Sequence, residues 1–184
     1  MNNKKILLVG GCGFIGHNLA IHLKKMGADP IIVDSLSVNN ILSFADNDIK
    51  NKKLYSSILN NRIELLNSNK IKLIIQDARD YHAVSKIYQD INPDIIIHLA
   101  AVSHANKSNK DPHSTFDHSF RTLENTLDYA KINKTHTIYM SSSMVYGNFD
   151  SEDVKEDRVC KPIGIYGTLK YSGELLVKAY SDVF

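Results

Sequence analysis

At 184 residues the chain is about 1.2 times an ordinary ~150-residue domain, so one domain spanning 1–184 is expected, with no need of a metal or disulfide staple. Lysine and arginine number 22 against 20 aspartates and glutamates, and the resulting +2 argues against a dedicated nucleic-acid or acidic-membrane binder. With 43% apolar and 23% charged residues the composition is globular, and no apolar stretch approaches the ~20 residues that span a bilayer. Cys12 and Cys160 are too few for a disulfide framework and fit a reducing compartment. Lys4 and Lys5 ahead of Ile6–Val9 superficially resemble a signal peptide, but that apolar run is short and leads into glycines. A cytoplasmic protein is expected.

Ile6–Val9 is a continuous apolar run, as in a strand buried on both faces. Phe14, Ile15, Leu19, Leu23 and Met26 then recur at helical spacing, and Gly27 stands where a C-cap belongs. Ile31–Val33, closed by Asp34, reads as a second strand. A long polar stretch follows, then Leu54, Ile58, Leu59, Arg62, Leu65 and Leu66 at the spacing of a crossover helix. Leu73–Ile75, Ile95–Leu99 and Thr137–Met140 repeat the strand pattern, while Tyr81–Asp90 and Ser114–Lys131 read as helices. A last helix is expected over Lys161–Phe184. Strands alternating with helices predict βαβ units and a parallel sheet.

The segment Gly10–Gly16 reads GGCGFIG. It satisfies G-x-G-x-x-G through Gly11, Gly13 and Gly16, and a wider spacing through Gly10, Gly13 and Gly16. Such glycines allow a tight strand-to-helix turn, close approach of backbone N–H groups to a pyrophosphate, and close helix–sheet packing. The N-terminus of the following helix favours phosphate through its dipole. Asp34 closes the next strand, where a carboxylate accepts from an adenosine ribose and repels a 2′-phosphate, so NAD is expected over NADP. No arginine follows Asp34 closely, in keeping with that preference. Capping a turn is the plainer role for Asp34. These features predict a Rossmann-type doubly wound α/β/α fold.

Tyr166 and Lys170 are four residues apart on the last helix and so share a face. A nearby ammonium stabilises a phenolate, which makes a tyrosine a usable base. SSSMVYG, Ser141–Gly147, places small hydroxyls at a strand's C-terminal end, where parallel sheets bind ligands. His98, His104, His113 and His118 lack recognised ligand spacing, and no metal is expected. Cys12 lies near a helix N-terminus, which lowers a thiol pKa, but a small loop filler is the expected role.

Taken in order, GGCGFIG, Asp34, QDARD (Gln76–Asp80), HLAA (His98–Ala101), SSSMVYG and YGTLK followed by Glu174 resemble the extended short-chain dehydrogenase/reductase family, in its NAD-dependent nucleotide-sugar epimerase/dehydratase branch. The resemblance implies NAD as cofactor, held by Gly10, Gly13, Phe14, Ile15, Gly16, Asp34, Tyr166 and Lys170. Asp77 and Ala78 would border the adenine, and Leu99, Ala100 and Ala101 would line the cleft. It implies a nucleotide-sugar substrate oxidised transiently to a keto-sugar, with Tyr166 as base assisted by Ser142 and Lys170. Ser143 and Met144 stand where the family's dehydratases carry acidic residues, which favours epimerisation. A dehydratase or reductase of the same branch and a catalytically idle NAD-binding module are the alternatives. A homodimer is implied, and the family's C-terminal sugar-binding portion is expected to be missing from this chain. Against the family's Asn-Val-x-Gly-Thr, the chain carries Ser119, Phe120, Arg121, Thr122 and Leu123, a departure expected to alter a cofactor contact and helix packing.

Overall fold

The computed structural model describes residues 3–37, 51–103, 105–149 and 153–184. Five strands, β1 (Lys5–Val9), β2 (Asp29–Asp34), β3 (Lys72–Ile75), β4 (Ile95–His98) and β5 (His136–Tyr139), form one sheet in the order β3-β2-β1-β4-β5. Every pairing is parallel; Leu7 lies opposite Ile31 on one side and Ile96 on the other. The central strand has to be apolar on both faces, and it is. Ile6 and Leu8 enter a cluster with Ala20, Leu23, Leu59 and Leu66, while Leu7 and Val9 enter another with Val84, Tyr88 and Tyr129. Each fully buried aliphatic side chain contributes about 1.5–3 kcal/mol.

The first cluster is covered by α1 (Phe14–Lys25) and α2 (Lys52–Ser68). The second lies under α3 (Tyr81–Ile91) and α6 (Thr122–Asn133), the last part of a helical stretch that begins with α5 (Pro112–Phe116) and a π-helical turn (Asp117–Arg121). The chain thus forms the expected three-layer α/β/α arrangement. α1 closes through Met26, and Gly27 follows at φ +84°, a left-handed conformation that glycine adopts without strain. Asp80 caps α3 by accepting from Ala83 N.

Three differences from the sequence expectation bear on the site. A short helix, α4 (Ala105–Lys110), occupies what reads as loop after β4. The expected Ser114–Lys131 helix contains the π turn, which apolar spacing does not reveal; there the Thr122 hydroxyl bonds back to His118 O at 3.0 Å. The last helix, α7 (Gly164–Val183), starts after Pro162 rather than at Lys161. Its first turn is tied to α4 by Ile165 N donating to Asn109 Oδ1 at 3.2 Å. Residues 38–50, within the expected long connection, and His104 lie outside the described residues.

Hydrogen bonds continue the ladder past the strand ends. Leu99 N reaches Val9 O at 2.8 Å, Gln76 N reaches Asp34 O at 3.1 Å, and Met140 N reaches His98 O at 3.2 Å. Strand order reverses beside β1, so the segments after β1 and β4 part there and open a crevice at the sheet's carboxyl edge.

Candidate cofactor and catalytic site

That crevice is a cleft of about 640 Å³. Gly10, Gly13, Phe14, Ile15, Gly16, Asp34, Asp77, Ala78, Leu99, Ala100 and Ala101, all expected at the cofactor, line it together. The glycines do different jobs. Gly10 adopts φ +76°, and a Cβ there would lie 2.6 Å from Ala100 N. A Cβ at Gly16 would collide with the Gly11 carbonyl. The fold itself requires both. Gly13 is unlike them: its φ is −73°, and the nearest atom to an added Cβ is Gly10 O at 3.9 Å. Nothing within the described protein demands glycine at that position.

Its place at the start of a helix gives it a different significance. Gly13 is the N-cap of α1, which has no side-chain cap and no acidic residue in its first turn. The first-turn amides are therefore available to an anion, with the helix dipole behind them. Phe14 and Ile15 flank this point at 72% and 58% exposure, apolar surface that a bound molecule can cover. The residues fit a dinucleotide diphosphate.

Asp34 closes β2 with its carboxylate already engaged. Oδ2 accepts from Cys12 N at 2.8 Å and Oδ1 from Leu36 N at 2.7 Å. Burial raises its pKa above the ordinary carboxylate value, opposed by those two amides and by the Arg62 guanidinium. Asp34 therefore braces the glycine turn, the plainer role considered above, and its carboxylate still has acceptor capacity to spare. Asp77 is paired with Arg79 through Nη2 at 2.6 Å, a bond that holds its carboxyl below the usual range. Ala78 is fixed from behind, its carbonyl accepting from Asn125 Nδ2 at 2.9 Å.

Sequence reasoning missed Arg62. It stands far from Asp34 along the chain, yet α2 brings it, with Tyr55 and Ile58, to the same end of the cleft. The absence of an arginine just after Asp34 therefore does not make this end free of positive charge. The only sequence signal was an arginine on the apolar face of an amphipathic helix.

The catalytic candidates lie at the other end of the sheet edge, and Ser142, Tyr166 and Lys170 are not among the residues lining the cleft. Ser142 caps a 3₁₀ turn (Ser143–Tyr146) directly after β5, its Oγ accepting from Met144 N at 3.3 Å. Tyr166 is half-buried in the first turn of α7. The next residue, Gly167, lets that turn press on the 3₁₀ turn, since a Cβ there would lie 2.7 Å from Met144 O. One turn on, Lys170 is 5% exposed and its Nζ donates to Met140 O at 2.7 Å. Burial lowers its pKa to about 8. One turn further, the Glu174 carboxylate accepts from Ser141 Oγ. The end of β5 and the face of α7 are thus joined at consecutive residues.

Beside this geometry, a model of the NAD dependent epimerase/dehydratase family matches residues 6–184. The chain belongs to that family. Protein CapI of Staphylococcus aureus, a relative, is 32% identical over 98% of this chain and 50% of its own length. The solved UDP-N-acetylglucosamine 4-epimerase of Methanobrevibacter ruminantium superposes with a TM-score of 0.77 at 26% identity, over 100% of this chain and 52% of that one. UDP-glucose 4-epimerase of Brucella ovis, solved in complex with NAD, gives 0.78 at 22% identity over 98% and 49%, a likeness of fold. The chain spans about half the length of the curated relatives it matches.

As a member of the epimerase/dehydratase family, the chain shows how its departures are accommodated. Ser119, in place of the usual asparagine, accepts from Val102 N at 3.1 Å. Thr122, in place of the glycine, is buried and reaches His98 Nε2 at 3.4 Å. His98 Nδ1 pairs with Thr126 Oγ1 at 3.0 Å, and burial depresses the pKa of this fully enclosed ring to about 3, with Lys170 adding to the effect. His98 is thus a core side chain. Among the described residues no group of three His, Cys, Asp or Glu could hold a metal. Cys12 is buried, and burial together with Asp34 raises its pKa to about 11, so the helix N-terminus does not activate it. No helix among the described residues is long and apolar enough to cross a membrane.

Proposed function

We propose that this chain binds NAD in its cleft and carries the catalytic residues of a nucleotide-sugar epimerase. The observation that carries the reading is the junction of β5 and α7. It brings the Ser142 turn and the Tyr166–Lys170 face together at the sheet's carboxyl edge, through Gly167 against Met144 O and Lys170 Nζ on Met140 O. Bound NAD supplies a two-electron acceptor that can return what it takes, so the net change is isomerisation. Gly13 and the first-turn amides of α1 hold the diphosphate, and Asp34 accepts from the adenosine ribose. Lys170 holds the nicotinamide ribose. Tyr166 removes the proton from a sugar hydroxyl that Ser142 also hydrogen-bonds.

Epimerisation is favoured over dehydration because elimination of water needs an acid beside Ser142. Ser143 and Met144 offer none, and the nearby Glu174 carboxylate is taken up by Ser141. Ile132 on α6 and Leu175 and Val183 on α7 are exposed, which supports a homodimer packed through these helices.

The test is Tyr166→Phe in a version that includes the family's C-terminal sugar-binding portion, assayed on UDP-, GDP- and dTDP-sugars. Turnover is expected to fall by ~10²–10⁴-fold while NAD affinity stays within a few fold. Retained turnover overturns the assignment of the base. NAD binding with no conversion of any sugar, even with the family's C-terminal sugar-binding portion present, selects the idle-module reading, and a product lacking one water selects the dehydratase.

A further inference from the structure

Lys170 is held by more than the carbonyl it donates to. Its Nζ lies 4.9 Å from the ring centroid of Tyr139, the residue immediately before Met140. Tyr139 and Met140 therefore form a two-point holder at the end of β5, one point a π face and the other a carbonyl. The Tyr139 ring is itself fixed. Its hydroxyl abuts Gly173, where the Cβ of any other residue would collide with it, and donates to Lys170 O at 3.5 Å. The His98 imidazole lies 6.2 Å away at a 34° tilt, anchored by Thr126 and Thr122.

An ammonium withdrawn from water must replace its hydration. Among the described residues Met140 O is the one hydrogen-bond acceptor on Nζ, so one N–H is satisfied there. The ring face offers negative quadrupolar charge to a second side, and the remaining donor capacity is left for a ligand. An aliphatic residue at 139 would leave the second side dry and unpaired.

We propose that Tyr139 is a positioning residue whose π face holds the Lys170 ammonium in place for the nicotinamide ribose. The inference rests on the reading of Lys170 as the ribose-holding residue. It extends the functional set beyond Ser142, Tyr166 and Lys170 to a side chain inside a strand.

A series of near-isosteric rings tests it. Position 139 is made Phe, then 4-fluorophenylalanine and 3,4,5-trifluorophenylalanine by amber suppression, and each protein is titrated with NAD by calorimetry at one pH and salt. Melting temperature without cofactor is measured alongside. Tyr139→Phe keeps the ring face and should bind NAD within about twofold of the unaltered protein. Affinity should then fall with each added fluorine, to about fivefold weaker for the trifluoro ring, at a nearly constant melting temperature. In a Lys170→Met background NAD should bind weakly and fluorination should change nothing further. Equal affinities across the series overturn the role of Tyr139, as does a loss already complete in Tyr139→Phe. If Lys170→Met itself leaves NAD affinity unchanged, the assignment of Lys170 fails first and the inference falls with it.

Discussion

Gly13→Ala separates what the fold needs from what the ligand needs. The backbone at this position, φ −73° and ψ −176°, suits any L-residue, and an added Cβ has only Gly10 O near it, at 3.9 Å. Loss of glycine flexibility in the unfolded chain stabilises by about 0.4–1 kcal/mol, offset by a poorer N-cap worth a similar amount. The net change in stability should therefore stay within about 1 kcal/mol. Binding is another matter. The methyl group occupies the place where a diphosphate oxygen would approach the first-turn amides, and two charge-assisted hydrogen bonds at about 1.5–3 kcal/mol each are forfeited. A loss of 3 kcal/mol is about 150-fold in affinity, so NAD binding should weaken a hundredfold or more. Thermal melting without cofactor and calorimetric titration with NAD measure the two effects in one preparation. A Gly13→Ala protein that binds NAD within threefold of the unaltered chain would refute the diphosphate placement. One that unfolds would refute the claim that the fold tolerates a side chain there.

Two further outcomes follow from the same geometry. Arg62→Met should weaken NAD binding about tenfold by removing the cation that borders the adenosine end, and an unchanged calorimetric Kd would remove Arg62 from the site. His98 should make stability depend on pH. Its folded pKa of about 3 lies below the unfolded value of about 6.5, so the unfolded state binds the extra proton and stability is lost as pH falls from 6.5 towards 3. This group alone should cost about 2 kcal/mol at pH 5 relative to pH 7.5, read from urea midpoints. The dependence should shrink in His98→Gln; an undiminished one would show that other groups carry it.

Much of this arrangement is legible in the residues because local chemistry and tertiary role coincide. Ile6–Val9 can bury both faces only at the centre of a sheet, and the glycines that follow permit only a tight turn. Asp34 is legible for the same reason, ending an apolar run beside that turn. Arg62 is not, because its role comes from where α2 packs, and periodicity reports which face is buried without saying what that face meets. The π turn at Asp117–Arg121 escapes for a related reason: one extra residue in a helical turn leaves the apolar spacing almost intact. Tyr139 reads as an ordinary strand residue. Its significance depends on a lysine 31 positions away whose ammonium lies near its ring.

The two amides on Asp34 have a consequence for how recognition and architecture are tied together. Because Cys12 N and Leu36 N hold the carboxylate in one rotamer, the ribose proposed to bind there would meet an acceptor whose orientation is already set, and little side-chain freedom would be lost on contact. The same bond joins the carboxylate to the glycine turn. A distortion of the turn at Cys12 should therefore be felt as poorer sugar recognition about one strand away, and a substitution at Asp34 should loosen the diphosphate seat. On the proposed placement, the two ends of the adenosine diphosphate would be read by a single mechanical unit.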